Sequence, residues 1–540
     1  MRLAAVFGIF VFFVITSTQG YCADAASILA NGDFHDIDPG THEPTGWPQG
    51  PGISFEHEGD VVFLRLHSTA PGKMIMAYRQ AMLPAPRPAA LQIKLRVRYS
   101  DIKPGEKPWF DGRVIFHFKN ASGKELKPEP SPAAFHGTSE KWVDREMVVK
   151  VPASATILEV MPCLFQAVSG TLDIARCEVF PASADMLPKP PPIIPSTTFV
   201  SKVDPKLMPA EAHVVGNRIQ TIASDKPVWL QGLCLDSLEW SAGGEHIAES
   251  IKVAMEQWKA NVIRLPVNEE FWFGRSKWQK DGGIGYRKLV DGAIDAVASH
   301  GGYLALDLHR FGAPMPQHVE FWTDAATRYK NNPAVIFELF NEPHDISWKT
   351  WRDGGPLKDP ASAHKDANAA ENDQDEPAGT SVGMQALVDA IRNTGAKNMI
   401  IAGGLDWGYD LSGLTQGFAL KDRDSGDGII YSSHIYPWKK DWQNKVLTAA
   451  EKYPIFVGEI GAPLKPMPFI PADQQESPYT WAPDAIGLIQ KYKLNWTAFS
   501  FHPTCAPNII TDWQYTPTPY WGAFVKEALA GKPFEMKKMR

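Results

Sequence analysis

The feature that most constrains this chain is the rhythm of residues 227–530, where short apolar or β-branched runs alternate with amphipathic stretches of helical period. Strands are expected at 227–235, 261–267, 303–309, 334–340, 398–403, 428–435, 455–458 and 496–501. Helices are expected at 246–260, 286–300, 318–331, 381–394, 442–452, 482–493 and 520–530. Parallel strands need a crossover long enough to carry the chain back, and a helix supplies it. Eight strands with helices between them therefore imply an α/β fold of the (β/α)8 TIM-barrel type, which takes about 250 residues. An open, doubly wound sheet is the alternative. It calls for a Gly-rich phosphate loop after its first strand, and residues 232–240 do not form one.

Upstream the pattern is different. Residues 28–184 carry short alternating runs at 61–66, 91–99, 113–119 and 157–164, separated by Gly, Pro, Asp and Asn, with no long helical period. An all-β sandwich of jelly-roll type is expected there. Between the two patterns, residues 187–195 hold five prolines, a stiff polyproline spacer. The expected organisation is a leader at 1–25, a β-sandwich domain at 28–184, a Pro-rich linker at 185–210 and a barrel at 211–535. Residues 358–380 form a polar, acidic insertion after the fourth strand, read as a solvated loop on the barrel's mouth.

In a parallel barrel, polar residues at the C-terminal ends of strands share one mouth, while mid-strand positions are core. Here strand two carries Arg264, strand three His309, strand four Asn341 and Glu342, strand six His434 and Tyr436, and strand seven Glu459. Taken singly, each has an ordinary structural role. Charges gathered at one end of five strands do not serve stability, because burying them costs free energy unless they are paired. Two carboxyls on strands four and seven face each other across the mouth, and such a pair can cleave an acetal. One protonates the leaving oxygen while the other, ionised, attacks the anomeric carbon. A separation of about 5–5.5 Å gives retention of configuration, and about 6.5–9.5 Å admits water and gives inversion. Arg264 is the group expected to hold one of them ionised.

On these motifs, residues 211–531 resemble glycoside hydrolase family 5, which includes many cellulases. The stretches that carry the resemblance are 261–266, Asp307-Leu308-His309, Phe340-Asn341-Glu342-Pro343, His434-Ile435-Tyr436 and Gly458-Glu459-Ile460-Gly461, in the family's order. The resemblance implies Glu342 as acid/base and Glu459 as nucleophile, with a glycosyl-enzyme intermediate. It further implies that Asn341 binds the sugar 2-hydroxyl, that Arg264 and Tyr436 support the nucleophile, and that His309 and His434 line the cleaving subsite. The family usually ends strand eight with a Trp beneath the sugar; aligning 495–503 puts Phe501 in that slot. In the front domain, Asn31-Gly32-Asp33-Phe34, Trp47 after Pro44-Thr45-Gly46, and Gly170-Thr171-Leu172-Asp173 resemble jelly-roll carbohydrate-binding modules.

Eighteen Trp and fourteen Tyr suit sugar recognition, because flat aromatic faces cover the apolar faces of sugar rings. Trp240, Trp272, Trp407, Trp438 and Trp513 lie near barrel strand ends, and two or three of them are expected to build subsites. Trp47, Trp109, Phe110 and Trp142 are the candidates in the front domain, with core packing as the competing role. The net charge of −7 and the lack of a basic run give no footprint for nucleic acid. The apolar run 3–15 after Arg2 has the length of a signal-peptide core and is too short to span a bilayer, so a secreted or periplasmic location is expected, with no membrane partner after cleavage at Gly20 or Ala25.

Cys163 with Cys177, and Cys234 with Cys505, are candidate disulfides, with separate buried thiols as the alternative. No Cys/His cluster has zinc spacing, and acetal hydrolysis needs no cofactor. The expected activity is cleavage of β-1,4-linked glucan. A β-mannanase, a mixed-linkage glucanase or an exo-β-glucosidase would use the same carboxyls, and a non-catalytic polysaccharide-binding protein is the reading from another class. A polysaccharide or oligosaccharide is the expected partner.

Overall fold

The computed structural model describes residues 26–540 apart from 108, 127–128, 190–192, 277–278, 358–378 and 469. The expected leader and nearly all of the acidic insertion lie outside the described residues. The chain forms two compact units that part between Lys189 and Pro190.

The first unit is all-β. One antiparallel sheet runs in the order Ile53–Glu58, Val61–His67, Ser169–Ala182, Ala90–Lys103, Val143–Lys150. The other pairs Ile75–Met76 and Arg79–Met82 with Ile157–Leu164, then Gly112–Lys119, which carries Glu125–Leu126 and Ala133–Phe135. Alternation explains the packing. In Gly112–Lys119 every second residue is buried, and Val114, Phe116 and Phe118 meet Leu64, Leu66, Ile93 and Leu95 of the opposite sheet in one core. Cys163 and Cys177 are both buried and free. The connection at 165–168 carries the chain from one sheet to the other rather than closing a hairpin, so their strands lie in different sheets and the anticipated bridge is absent.

The second unit is a closed parallel barrel of eight strands: Gln231–Cys234, Val262–Val267, Tyr303–Leu308, Val335–Glu338, Ile400–Gly403, Ile429–Ile435, Ile455–Ile460 and Asn495–Ala498, numbered one to eight below. The (β/α)8 expectation holds. Helices Ile247–Glu256, Ile284–Ala298, Pro316–Tyr329, Gly383–Asn393, Pro478–Tyr492 and Gly522–Leu529 pack around it, while the crossover from strand five to six carries only the short turns Leu405–Gly408 and Ser412–Gln416. Two apolar layers result. Val262, Ala305, Ile336, Ile401, Ile430 and Phe456 point inward and fill the barrel's lower half. They are joined by Ala212 and Ile219 from the small antiparallel sheet Ala212–Val215, Arg218–Thr221, Pro227–Val228. Leu233, Ile263, Leu304, Phe337, Ile400 and Trp496 point outward to the helices. The anticipated first strand is thus two elements: Pro227–Val228 belongs to the small sheet, and the barrel begins at Gln231.

Candidate active site

Above the inner apolar layer the barrel's lining turns polar, and each polar group is set by its strand. Arg264 lies mid-strand on strand two and is fully buried. Its Nε donates to Glu338 Oε2 at 2.8 Å, Nη1 to Glu459 Oε1 at 2.8 Å, and Nη2 to Asn341 Oδ1 at 2.7 Å and toward Asp307 Oδ2 at 3.0 Å. A buried guanidinium is tolerable only with such partners, and its fixed planar fork in turn orients four side chains from strands three, four and seven. Asn341 and Glu342 follow strand four. The backbone N–H of Asn341 bonds to the Leu308 carbonyl and that of Glu342 to the Arg310 carbonyl, so the segment continues alongside the end of strand three.

Glu459 is held from both sides. Arg264 occupies Oε1, and the Tyr436 hydroxyl donates to Oε2 at 2.7 Å. Burial by itself would raise its pKa. The imidazole of His434, the Arg264 guanidinium, His309 and the Tyr436 hydrogen bond outweigh burial and hold it well below the ordinary carboxylate range. Glu342 Oε1 meets His434 Nδ1 at 2.8 Å. One ligand atom from each of Glu342, His434 and Glu459 lies within 4.8 Å of the others, so the two carboxyls converge. These three have the donor types of a divalent-cation site, but the guanidinium bonded to Glu459 opposes a second cation there by like-charge repulsion.

The register explains why Glu459 points inward at all. Phe456 is in the inner layer and Val457 in the outer, so strict alternation would turn residue 459 outward. The pairing of strand seven with strand six shifts between Ser432 and His434, and its pairing with strand eight shifts between Val457 and Ile460. This irregularity brings Gly458 and Glu459 both to the interior and returns Ile460 to the outer layer.

His309 closes strand three. Its Nδ1 meets Asp307 Oδ2 at 2.6 Å, and its Nε2 lies 3.5 Å from Glu239 Oε2. Burial disfavours a charged imidazole, yet Glu239 and Asp307 overcome it and raise the group to about 10. Asp236, just past strand one, is fully buried. Burial pushes it up to about 7, opposed by hydrogen bonds with the Cys234 thiol and the Ser500 hydroxyl. Cys234 and Cys505 are free, and the Cys234 sulfur instead faces Arg264 Nη1 at 3.6 Å.

The structure therefore brings Arg264, Asn341, Glu342, His434, Tyr436 and Glu459 into one cluster, with His309 beside it. Phe501 is a correction. It is 2% exposed, stacked on Tyr515 at 5.4 Å and edge-on to Trp258 at 5.1 Å, within the outer core. Strand eight ends at Ala498, and after Ser500 the chain turns outward. Phe499 is the half-buried aromatic here. Its neighbours Trp496 and Ala498 belong to the outer layer, which leaves Thr497 and Phe499 for the inward side. Trp272 is also core, fully buried with its Nε1 on Asp324. Of the other four barrel tryptophans, Trp240 is exposed and Trp407, Trp438 and Trp513 are half-buried. Trp407 stacks on His344 at 3.6 Å and Trp438 on Tyr436 at 4.8 Å. In the first unit Trp47 is core, bonded to the Asn31 carbonyl, whereas Trp109 is exposed. Trp142 is half-buried beneath Arg98, and Phe110 is half-buried beside Trp109. Glu239 and Glu338 were not singled out from sequence. Glu338 is a lone acid within an apolar strand, a signal available in the sequence, whereas Glu239 sits in a loop that carries no motif.

Comparison with known proteins bears on this arrangement. Endoglucanase MaCel5A of Microbulbifer sp. (strain ALW1) is 23% identical over 307 residues, covering 54% of this chain and 50% of that protein. Endoglucanase A of Butyrivibrio fibrisolvens is 25% identical over 247 residues, covering 44% and 49%. The chain spans about half the length of these curated relatives. Among solved structures, the native form of β-glucanase SdGluc5_26A from Saccharophagus degradans matches with a TM-score of 0.47 and 23% identity, covering 62% of this chain and 97% of that one. The sequence model described as Cellulase (glycosyl hydrolase family 5) matches residues 221–504, a span that includes all eight barrel strands and every residue of the cluster. That span is more than half of the 540 residues, and the chain belongs to glycosyl hydrolase family 5.

Proposed function

We propose that the protein is a retaining glycoside hydrolase that cleaves β-1,4-linked glucan, with Glu459 as nucleophile and Glu342 as acid/base. The observation that carries this reading is the convergence of the two carboxyls, each offering an oxygen within 4.8 Å of the other in opposite surroundings. That spacing suits direct attack on the anomeric carbon rather than attack by an interposed water. Glu459, kept ionised by Arg264 and Tyr436, attacks C1. Glu342 gives its proton to the departing oxygen, and the C1–O bond breaks. In the second half, Glu342 takes a proton from water as the water oxygen bonds to C1 and releases Glu459. Membership of family 5 and the relatives named as endoglucanases support a β-glucan as substrate.

The neighbours have roles that follow from their bonds. Arg264 can only donate, so the Asn341 oxygen faces it, and the buried Nδ2, with no partner of its own, is left to donate to the sugar 2-hydroxyl. His434 positions Glu342 through Nδ1. His309 lines the same subsite, fixed by Asp307. The expected export and the sugar-binding role of the first unit belong to the same proposal. Among the described residues no helix is long and apolar enough to cross a membrane.

The test is chemical. Glu459→Ala should abolish release of reducing sugar from carboxymethyl cellulose, and Glu342→Ala should lose most of it. Azide should restore turnover with products of the matching anomeric configuration. Full activity in either variant would remove the reading, and a panel adding glucomannan and laminarin would identify the glycan.

A further inference from the structure

Outside the pair of reacting carboxyls, the mouth holds a third acid that the reaction does not use. Glu239 lies in the loop after strand one. Its backbone is pinned by an N–H bond to the Asp236 carbonyl and by Asn268 Nδ2, which donates to its own carbonyl at 3.1 Å. Its side chain remains 16% exposed, and Oε2 lies 3.5 Å from His309 Nε2. That distance is too long for a tight hydrogen bond, so both groups keep capacity for a ligand. Held as the imidazolium between Glu239 and Asp307, with its pKa raised to about 10, His309 donates its Nδ1–H to Asp307 at 2.6 Å and keeps its Nε2–H as the donor on offer. A donor and an acceptor side by side fit a hydroxyl, which accepts from one and donates to the other.

We propose that Glu239 is a substrate-binding residue of the glycone side, where its carboxylate and the His309 Nε2–H together hold one hydroxyl of an uncharged sugar. The side follows from the chemistry, and the inference rests on the assignment of Glu342 and Glu459. Glu342 meets the leaving oxygen, so the departing part of the glycan lies over strands four to six. The retained part lies toward strands eight, one and two, the sector of Glu239. Burial raises the pKa of Glu239, and Glu459 and Asp307 add repulsion, while His309 and Arg310 draw it down. A sugar bearing its own carboxylate would add a further like charge at this point, so the pair also selects against acidic sugar units.

Binding is read apart from turnover by calorimetry of cellotetraose on Glu459→Ala and on Glu459→Ala/Glu239→Gln. Gln keeps the shape and removes the charge. The double variant should bind at least about tenfold more weakly, the loss of one charge-assisted hydrogen bond. In the otherwise native enzyme, Glu239→Gln should lower kcat/KM on cello-oligosaccharides and raise the ratio of activity on carboxymethyl cellulose to that on neutral glucan at least about threefold. Equal cellotetraose affinity and an unchanged ratio, in an enzyme whose activity Glu459→Ala abolishes, would overturn the role of Glu239 alone. Turnover that survives Glu459→Ala would remove the assignment of the carboxyls, and this inference with it.

Discussion

At the scale of single residues, the site works by making two similar side chains unlike. Glu459 receives a guanidinium on one oxygen and a phenol on the other, whereas Glu342 is met by an imidazole. Because the lowered pKa of Glu459 depends in part on Tyr436, Tyr436→Phe has a directional consequence. Losing that hydrogen bond favours the protonated form, so the pKa rises and the acid limb of the kcat/KM profile should move to higher pH. The loss of one hydrogen bond to a charged group corresponds to a shift of about one unit. A pH–rate profile of the variant checks this, and an unmoved or lowered limb would contradict it. The two phenylalanines just past strand eight, Phe499 and Phe501, should separate in the same way. Phe501 is embedded between Trp258 and Tyr515, so Phe501→Ala should cost about 3–5 kcal/mol in urea unfolding. Phe499→Ala should instead lower kcat/KM on glucan with a smaller loss of stability.

At the scale of elements, the irregular pairing of strand seven decides where the nucleophile points. It needs a residue without a side chain just before Glu459. A Cβ on Gly458 would lie 2.5 Å from Ser432 Oγ, 3.1 Å from His434 Nε2 and 3.2 Å from Glu338 Oε1. Those atoms belong to buried side chains of strands six and four. His434 is held by Glu342 through Nδ1 and Glu338 by Arg264, so only the Ser432 hydroxyl, which makes no hydrogen bond among the described residues, is free to turn away. Gly458→Ala should therefore cost about 1–3 kcal/mol of stability through overpacking. It should also lower activity more than any surface Gly→Ala change, since it displaces His434 from Glu342. Denaturant unfolding and kcat measured on the same preparation test both parts.

At the scale of the whole molecule, two cores form from one chain. The first draws its apolar residues from 29–179 and the second draws them from 212–529, so each unit buries its own surface. Neither core is held by a cross-link between the described cysteines. Cys163, Cys177, Cys234 and Cys505 are all free, and burial raises the first two to about 12 and suppresses their reactivity. Reducing agent should therefore leave the Tm unchanged. A thiol reagent should titrate at least these four groups in denaturant and far fewer in the native protein. A Tm that falls on reduction would contradict this.

The sequence alone determined the elements and their order, because periodicity, turn residues and prolines act locally. The strand–helix alternation, the all-β front unit and the polar residues at strand ends were all legible in it. So were Arg264, His309, Asn341, Glu342, His434, Tyr436 and Glu459 as candidates, since each is a polar residue within or just past an apolar run. What it left open was parity and proximity. Phe501 reads as a mouth residue if strand eight is extended to it, but the strand stops at Ala498 and the outer core claims the ring. Glu239 carries no local signature and Glu338 only that of a lone acid in an apolar strand, yet barrel closure sets one beside His309 and the other on Arg264. Cys163 and Cys177 look paired along the chain and lie on opposite sheets. In each case the deciding quantity is a distance between segments remote in sequence. Closure of the barrel, the register of its strands and the packing of the sheets fix that distance, and no local pattern encodes it.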